Sequence, residues 1–125
     1  MQSAQAGTMK TILVVDDEGA IIEVLRGLLE DEGYRVVSAA NGYDGLARVA
    51  QEQPDLIISD VMMPRMGGLP FARALQQHPD YAAIPLVLAS AGTPPPLDGI
   101  AAAFLPKPFD FEALLATIRR LTPDA

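Results

Sequence analysis

Three short runs constrain the fold of this chain more than anything else in it. They are "TILVV" at 11–15, "LIISD" at 56–60 and "IPLVLAS" at 84–90. Each carries at least three consecutive apolar residues, largely β-branched or leucine rather than alternating with polar ones, which is the pattern of strands buried on both faces. Helical patterns separate them. Ile21, Ile22, Leu25, Leu28 and Leu29 recur at intervals of three and four and stop at Gly33. "YRVVSA" reads as a second strand and "NGYDGLARVAQEQ" as a weaker helix with Leu46, Val49 and Ala50 on one face. Gly45 inside that helix costs about 1 kcal/mol relative to alanine. "MMPRMGG" is a loop, and Pro70 suits the first turn of a third helix that runs to about Gln77. "AAAFLP" holds a short fifth strand. "DFEALLATIRRL" is the last helix, with Asp110 as N-cap and Leu114, Leu115, Ile118 and Leu121 as its apolar face.

Strands that alternate with helices and are apolar on both faces predict a parallel sheet covered by helices. Such sheets hold ligands beyond the carboxyl ends of their strands, near a switch in strand order. The residues expected at those ends are Asp16 and Asp17 after the first strand and Asp60 at the end of the third. Ser90 ends the fourth, and Lys107 follows the fifth. Individually, each has a plain reading. Asp16 and Asp17 suit a solvated helix start, Ser90 is a small residue at a strand end, and Lys107 is a lysine fixed between Pro106 and Pro108. Asp60 is harder to dismiss, because apolar chain flanks it on both sides.

Carboxylates gathered in one cleft repel: two unit charges about 4 Å apart cost roughly 4 kcal/mol at an effective dielectric near 20. A hard divalent cation offsets that repulsion, and Mg²⁺ characteristically takes one or two carboxylates, several waters and a phosphate. Asp60 is then placed to act as a nucleophile toward phosphorus. Lys107 and the metal would offset charge on the phosphoryl oxygens, and the Ser90 hydroxyl would donate to them.

Composition excludes other chemistries. There are no cysteines, so disulfides and thiolate metal sites are ruled out, and the one histidine, His78, cannot build a histidine cluster. It lies in "QQHPD", a helix end and turn at the surface. The net charge of −7 argues against nucleic-acid binding by this chain. No apolar run is long enough to span a membrane. "MQSAQAGTMK" lacks the basic start and apolar core of a signal peptide and reads as a loose tail. A cytoplasmic location is the default expectation.

The pieces "ILVVDDE", "PDLIISDVMMPRMGG", "IPLVLASAG" and "FLPKPF" together resemble the receiver domain of two-component response regulators, over roughly residues 10–121. The length suggests one domain, placed at 10–122 as a receiver domain, with residues 1–9 as a flexible tail. The implied fold is α/β: a doubly wound five-stranded parallel sheet with helices on both faces. It implies that Asp60 is the phosphoacceptor in a phosphorelay, taking its phosphoryl group from a sensor histidine kinase or a histidine phosphotransfer protein. Asp17 would bind Mg²⁺ directly, Asp16 through water, and Met62 through its backbone carbonyl. Ser90 is the switch hydroxyl and Phe104 the switch aromatic. Lys107 is the lysine that pairs with the phosphoryl group, and its bond to Pro108 is commonly cis in the family. The resemblance implies no enzyme beyond autocatalytic phosphoryl uptake and hydrolysis. Met62, apolar and two residues past the acceptor, offers no general base and predicts that hydrolysis is not especially fast.

The chain departs from the family pattern in one segment. Between Ser90 and Lys107 it has "AGTPPPLDGIAAA", where the family carries its fourth helix. Three consecutive prolines at 94–96 cannot form a helix interior. That helix is therefore expected to be absent, short or replaced by a Pro-rich loop. This places the family's usual dimer and signalling face in question and leaves the oligomeric state open. A milder departure is Gly67, where an acid is frequent. With no effector domain after Ala125, a stand-alone receiver acting on a downstream output protein is the first expectation, and a piece of a larger regulator or hybrid kinase the other. A different class of reading is a receiver-like adaptor that binds proteins without phosphorylation. A phosphatase with an aspartyl intermediate is disfavoured, because Met62 stands where those enzymes commonly place a second acid.

Overall fold

A computed structural model describes residues 9–92, 94 and 99–123. The elements are β1 (Thr11–Val15), α1 (Gly19–Asp31), β2 (Arg35–Ala39), α2 (Gly42–Glu52), β3 (Leu56–Asp60), α3 (Gly68–Gln76), β4 (Leu86–Ser90), β5 (Ala103–Pro106) and α4 (Phe111–Leu121). The five strands form one parallel sheet in the order β2-β1-β3-β4-β5. Every residue of β1, β3 and β4 is buried, as their apolar runs predict.

The alternation of strand side chains divides the core in two. On one face Ile12, Val14, Val36, Leu56, Ile58 and Val87 meet α1 and α4 through Ile22, Leu25, Leu29, Leu114, Leu115 and Ile118. On the other, Leu13, Val15, Val37, Ile57 and Leu88 meet α2 and α3 through Val49, Phe71, Ala72 and Leu75. Truncating one of these fully buried side chains, Ile58→Ala for example, would cost about 2–5 kcal/mol.

Helix ends follow local chemistry. Asn41 Oδ1 accepts from the Asp44 amide at 3.0 Å and caps α2. The Asp110 carboxylate accepts from the amides of Glu112 and Ala113 and caps α4, as expected. Gly33, with φ +94, takes the left-handed turn that closes α1. On α2, Val49 is buried and Leu46 half-buried, but Ala50 is exposed, so the buried stripe is rotated toward Gly42 and Gly45. The reason is close packing: a Cβ on Gly45 would lie 2.9 Å from the Phe71 ring. Glycine there is a fitting requirement of the α2–α3 contact, whatever it costs the helix.

Between β4 and β5 the described residues hold no helix. The fourth helix along the chain, α4, is the C-terminal one. Of the three prolines only Pro94 is described; residues 93 and 95–98, together with nearly all of the expected 1–9 tail, lie outside the described residues. The expectation of a missing or shortened helix therefore lies in part outside them as well.

The strand order reverses between β1 and β3, and the crevice of such a sheet opens at the carboxyl ends of those strands. β1 is followed there by Asp16, and β3 ends there in Asp60.

Candidate functional site

The Asp16 amide donates to the Ala39 carbonyl at 3.0 Å, so Asp16 is held by the sheet ladder although it lies one residue past β1. Its side chain is equally fixed. Oδ1 accepts from the Glu18 amide at 2.9 Å and Oδ2 from Lys107 Nζ at 2.7 Å. Asp60 is paired in register with Ala89, beside the end of β4. Asp16 and Asp60 are buried, whereas Asp17, at the mouth of the crevice, is exposed. Asp16, Asp17 and Asp60 each place a carboxylate oxygen within 4.8 Å of the others.

Lys107 is the counter-charge among these acids. Its ammonium lies 2.7 Å from Asp16, 3.3 Å from Asp60 Oδ1 and 3.8 Å from Glu18 Oε1. Its amide donates to the Ser90 carbonyl at 3.0 Å, which ties the start of the β5–α4 connection to the end of β4. The Lys107–Pro108 peptide bond is cis.

The electrostatics follow from burial and proximity. Burial raises the pKa of Asp60, and the negative charge of Asp16 adds to the rise, while Lys107 and a backbone hydrogen bond from Met62 oppose it. Burial alone would lower the pKa of Lys107. The hydrogen bond and attraction to Asp16, followed by those to Asp60, outweigh it and raise the pKa. Asp60 is thus a partly desolvated carboxylate with a cation in contact.

The donor set fits Mg²⁺. It is all oxygen, it is anionic, and opposite ligands of an octahedral Mg²⁺ stand about 4.2 Å apart, inside the span of these carboxylates. Asp16, Asp17 and Asp60 are the residues available to hold the ion.

The residues expected from sequence gather unevenly. Asp16, Asp17, Asp60 and Lys107 converge. Ser90 is buried at the neighbouring strand end, and its Oγ accepts from the Gly92 amide at 3.2 Å. Met62 reaches the site through its backbone alone, its side chain being 73% exposed. Phe104 lies opposite Leu88 in the β4–β5 register and is half-buried against the α2–α3 side of the core.

Two contributors were not singled out in the sequence. Glu18 is one, through its amide on Asp16 and its carboxylate near Lys107; the run "DDE" was the available signal. Gly68 is the other. A Cβ there would overlap the Asp60 carbonyl oxygen, and one on Gly67 would lie 2.8 Å from that of Val61. The doublet "GG" after "MMPRM" marks a close approach of loop to strand end.

A family profile described as "Response regulator receiver domain" matches residues 12–119. The response regulator MprA of Mycolicibacterium vanbaalenii is 41% identical over 120 residues, covering 90% of this chain and 52% of that protein. The chain thus spans about half the length of the curated relatives it matches. Among solved structures, the chemotaxis response regulator CheY4 of Vibrio cholerae superposes with a TM-score of 0.83 and 36% identity, covering 90% of this chain and 98% of that one. The response regulator TrrA of Thermotoga maritima, solved in complex with Mg²⁺–BeF, gives 0.82 and 32%, covering 90% and 99%.

Proposed function

This chain belongs to the response regulator receiver family, and from that premise we propose that it is a phosphorelay receiver in which Asp60 accepts a phosphoryl group from a phosphohistidine. The donor is a sensor histidine kinase or a histidine phosphotransfer protein, and the receiver domain is residues 10–122. In the transfer a P–O bond forms at the Asp60 carboxylate as the P–N bond of the phosphohistidine breaks. The bonding pair leaves with the imidazole nitrogen, which then takes up a proton. Mg²⁺, when bound by Asp16, Asp17, Asp60 and the Met62 carbonyl, supplies charge neutralisation for the phosphoryl oxygens. Lys107 changes partner from Asp60 to a phosphoryl oxygen, and the Ser90 hydroxyl donates to another. Phe104 follows Ser90 and carries the change to the surface.

The observation that supports this reading most is the shared lysine. One ammonium contacts Asp16 and Asp60 in a site that also holds Asp17, so the acids are already arranged for a cation and an anionic group. The surroundings suit a protein donor. Beside Lys107, a hollow of 340 Å³ is lined by Ile21, Val24, Leu28, Pro108 and Phe109, and Val24 is 60% exposed. An apolar helix face seated there would bring its phosphohistidine to the crevice.

No helix among the described residues is long and apolar enough to cross a membrane, which agrees with action in the cytoplasm. The output is a downstream protein or domain whose binding changes with phosphorylation. The chain catalyses its own phosphoryl uptake and hydrolysis and turns over no separate substrate.

The test is incubation with Mg²⁺ and acetyl phosphate. A gain of one phosphoryl group by intact mass, absent in Asp60→Asn, is the expected result. If the wild-type chain takes up nothing from acetyl phosphate and does not respond to beryllofluoride, the reading falls and the phosphorylation-independent adaptor replaces it.

A further inference from the structure

β2 is an outer strand of the sheet; among the described residues no strand pairs with its free side. The Arg35 amide donates to the Lys10 carbonyl at 2.8 Å, and the Ala39 carbonyl accepts from the Asp16 amide at 3.0 Å. Both groups face β1. Strand alternation therefore turns the peptide groups of Val36 and Ser38 outward, where an exposed row of donors and acceptors is a template for another strand.

Two arginines occupy that row. Arg26 of α1 donates through Nη1 to the Val36 carbonyl at 2.8 Å and through Nη2 to Ser38 Oγ at 3.2 Å. Arg48 of α2 donates through Nε to the Ser38 carbonyl at 3.0 Å. These helices lie on opposite faces of the sheet, so the edge is gripped from both sides. Acids orient the grip: Glu23 lies 3.7 Å from Arg26, and Glu52 lies 3.2 Å from Arg48 and 2.7 Å from Arg35 on β2 itself. Arg26, Arg35 and Arg48 are three of only nine Lys and Arg residues in the chain, a concentration that the net charge of −7 does not predict.

We infer that Arg26 and Arg48 form an edge lock that stops β2 from pairing with β2 of a second copy of this chain. The guanidinium is suited to this task because its donors are fixed in a plane and always charged. A strand entering from outside must displace both groups to reach the Val36 and Ser38 carbonyls. The edge is self-complementary about a two-fold axis, so the pairing that the lock prevents is an antiparallel β2–β2 dimer.

The experiment uses the whole chain and compares wild type with Arg26→Ala/Arg48→Ala by sedimentation over a wide concentration range, with circular dichroism to follow the fold. The double variant is expected to dimerise at least ten-fold more tightly than wild type. Slowed hydrogen exchange at the Val36 and Ser38 amides should accompany the dimer. Adding Ser38→Pro, which removes an outward amide and leaves the β1–β2 ladder intact, should restore the monomer. A folded double variant that associates no more than wild type overturns the inference, as does a dimer that Ser38→Pro leaves unchanged. Should the alanine variant fail to fold, Arg26→Lys/Arg48→Lys keeps the charge and the aliphatic stems but loses the forked donors. It is expected to associate more tightly than wild type, and its failure to do so overturns the inference equally.

Discussion

Lys107 donates to Asp16 across 2.7 Å although 91 residues separate them in the chain. This contact closes the site, since the same ammonium also reaches Asp60 at 3.3 Å. Replacing it by an apolar side chain of similar length leaves buried carboxylates with no counter-charge. Lys107→Met is expected to lower the unfolding free energy by about 2 kcal/mol, less than the roughly 3–5 kcal/mol usual for a broken buried pair because the crevice is open at Asp17. Added Mg²⁺ should recover part of the loss. Thermal melts with and without the ion check both statements.

Asp60 sits in a repulsive environment, with burial and Asp16 both raising its pKa. Asp60→Asn removes one of the charges that crowd the crevice. In metal-free solution the variant is expected to be at least as stable as wild type, while its Mg²⁺ affinity falls roughly ten-fold or more. Calorimetric titration measures the affinity directly in a chain that has no tryptophan to report binding.

Gly45→Ala sets helix propensity against packing. Propensity favours alanine by about 1 kcal/mol. The new Cβ, however, would stand 2.9 Å from the ring of Phe71, which is fully buried and cannot retreat into solvent. Overpacking of this kind costs about 1–3 kcal/mol. A net loss of stability in denaturant unfolding is expected, and a more stable variant would show that α2 and α3 can separate.

The pKa of Glu52 is lowered from 4.5: the hydrogen bond from Arg35 lowers it most, desolvation opposes that as the next largest effect, and the charges of Arg35 and then Arg48 lower it further. A group with a depressed native pKa adds stability above its unfolded value and loses it as pH falls through the native one. Glu52→Gln should therefore melt below wild type at neutral pH. The gap should narrow as the solution is taken below pH 4.5 and close in strong acid. A gap independent of pH would mean that the carboxylate charge plays no part.

Met62 lies two residues past Asp60, and its exposed thioether side chain can neither activate nor orient a water molecule. Met62→Glu or Met62→Asn is expected to shorten the lifetime of the Asp60 phosphoryl group roughly ten-fold or more, by analogy with other positioned bases. Decay of the phosphorylated mass with time is the measurement. An unchanged rate would remove Met62 from the control of hydrolysis.

Legibility in the sequence varied with how local the cause was. The strands were readable because burial on both faces leaves consecutive apolar residues rather than an alternating pattern, as in "ILVV". The ends of those runs pointed to Asp16, Asp60 and Ser90, because a parallel sheet brings all carboxyl ends to one edge. The cap at Asp110 was equally local. What could not be read depends on distances across the fold. Ala50 shares a helical stripe with Val49 but faces solvent, because the α2–α3 contact is made through Gly45 and Phe71. Gly68 matters only because the Asp60 carbonyl lies where its side chain would be. Arg26 and Arg48 look like ordinary surface charges until the strand order makes β2 an edge.

The doubly anchored Lys107 also bears on the order in which the molecule is assembled. Its amide belongs to the β4 end and its ammonium to the β1 end. During synthesis, a chain that has emerged only as far as β4 already carries all three acids but not Lys107, the cation that contacts Asp16 and Asp60 in the folded site. Until β5 arrives, ambient divalent ions are the natural substitute. Ribosome-bound nascent chains halted before and after residue 107 would therefore differ in their dependence on magnesium.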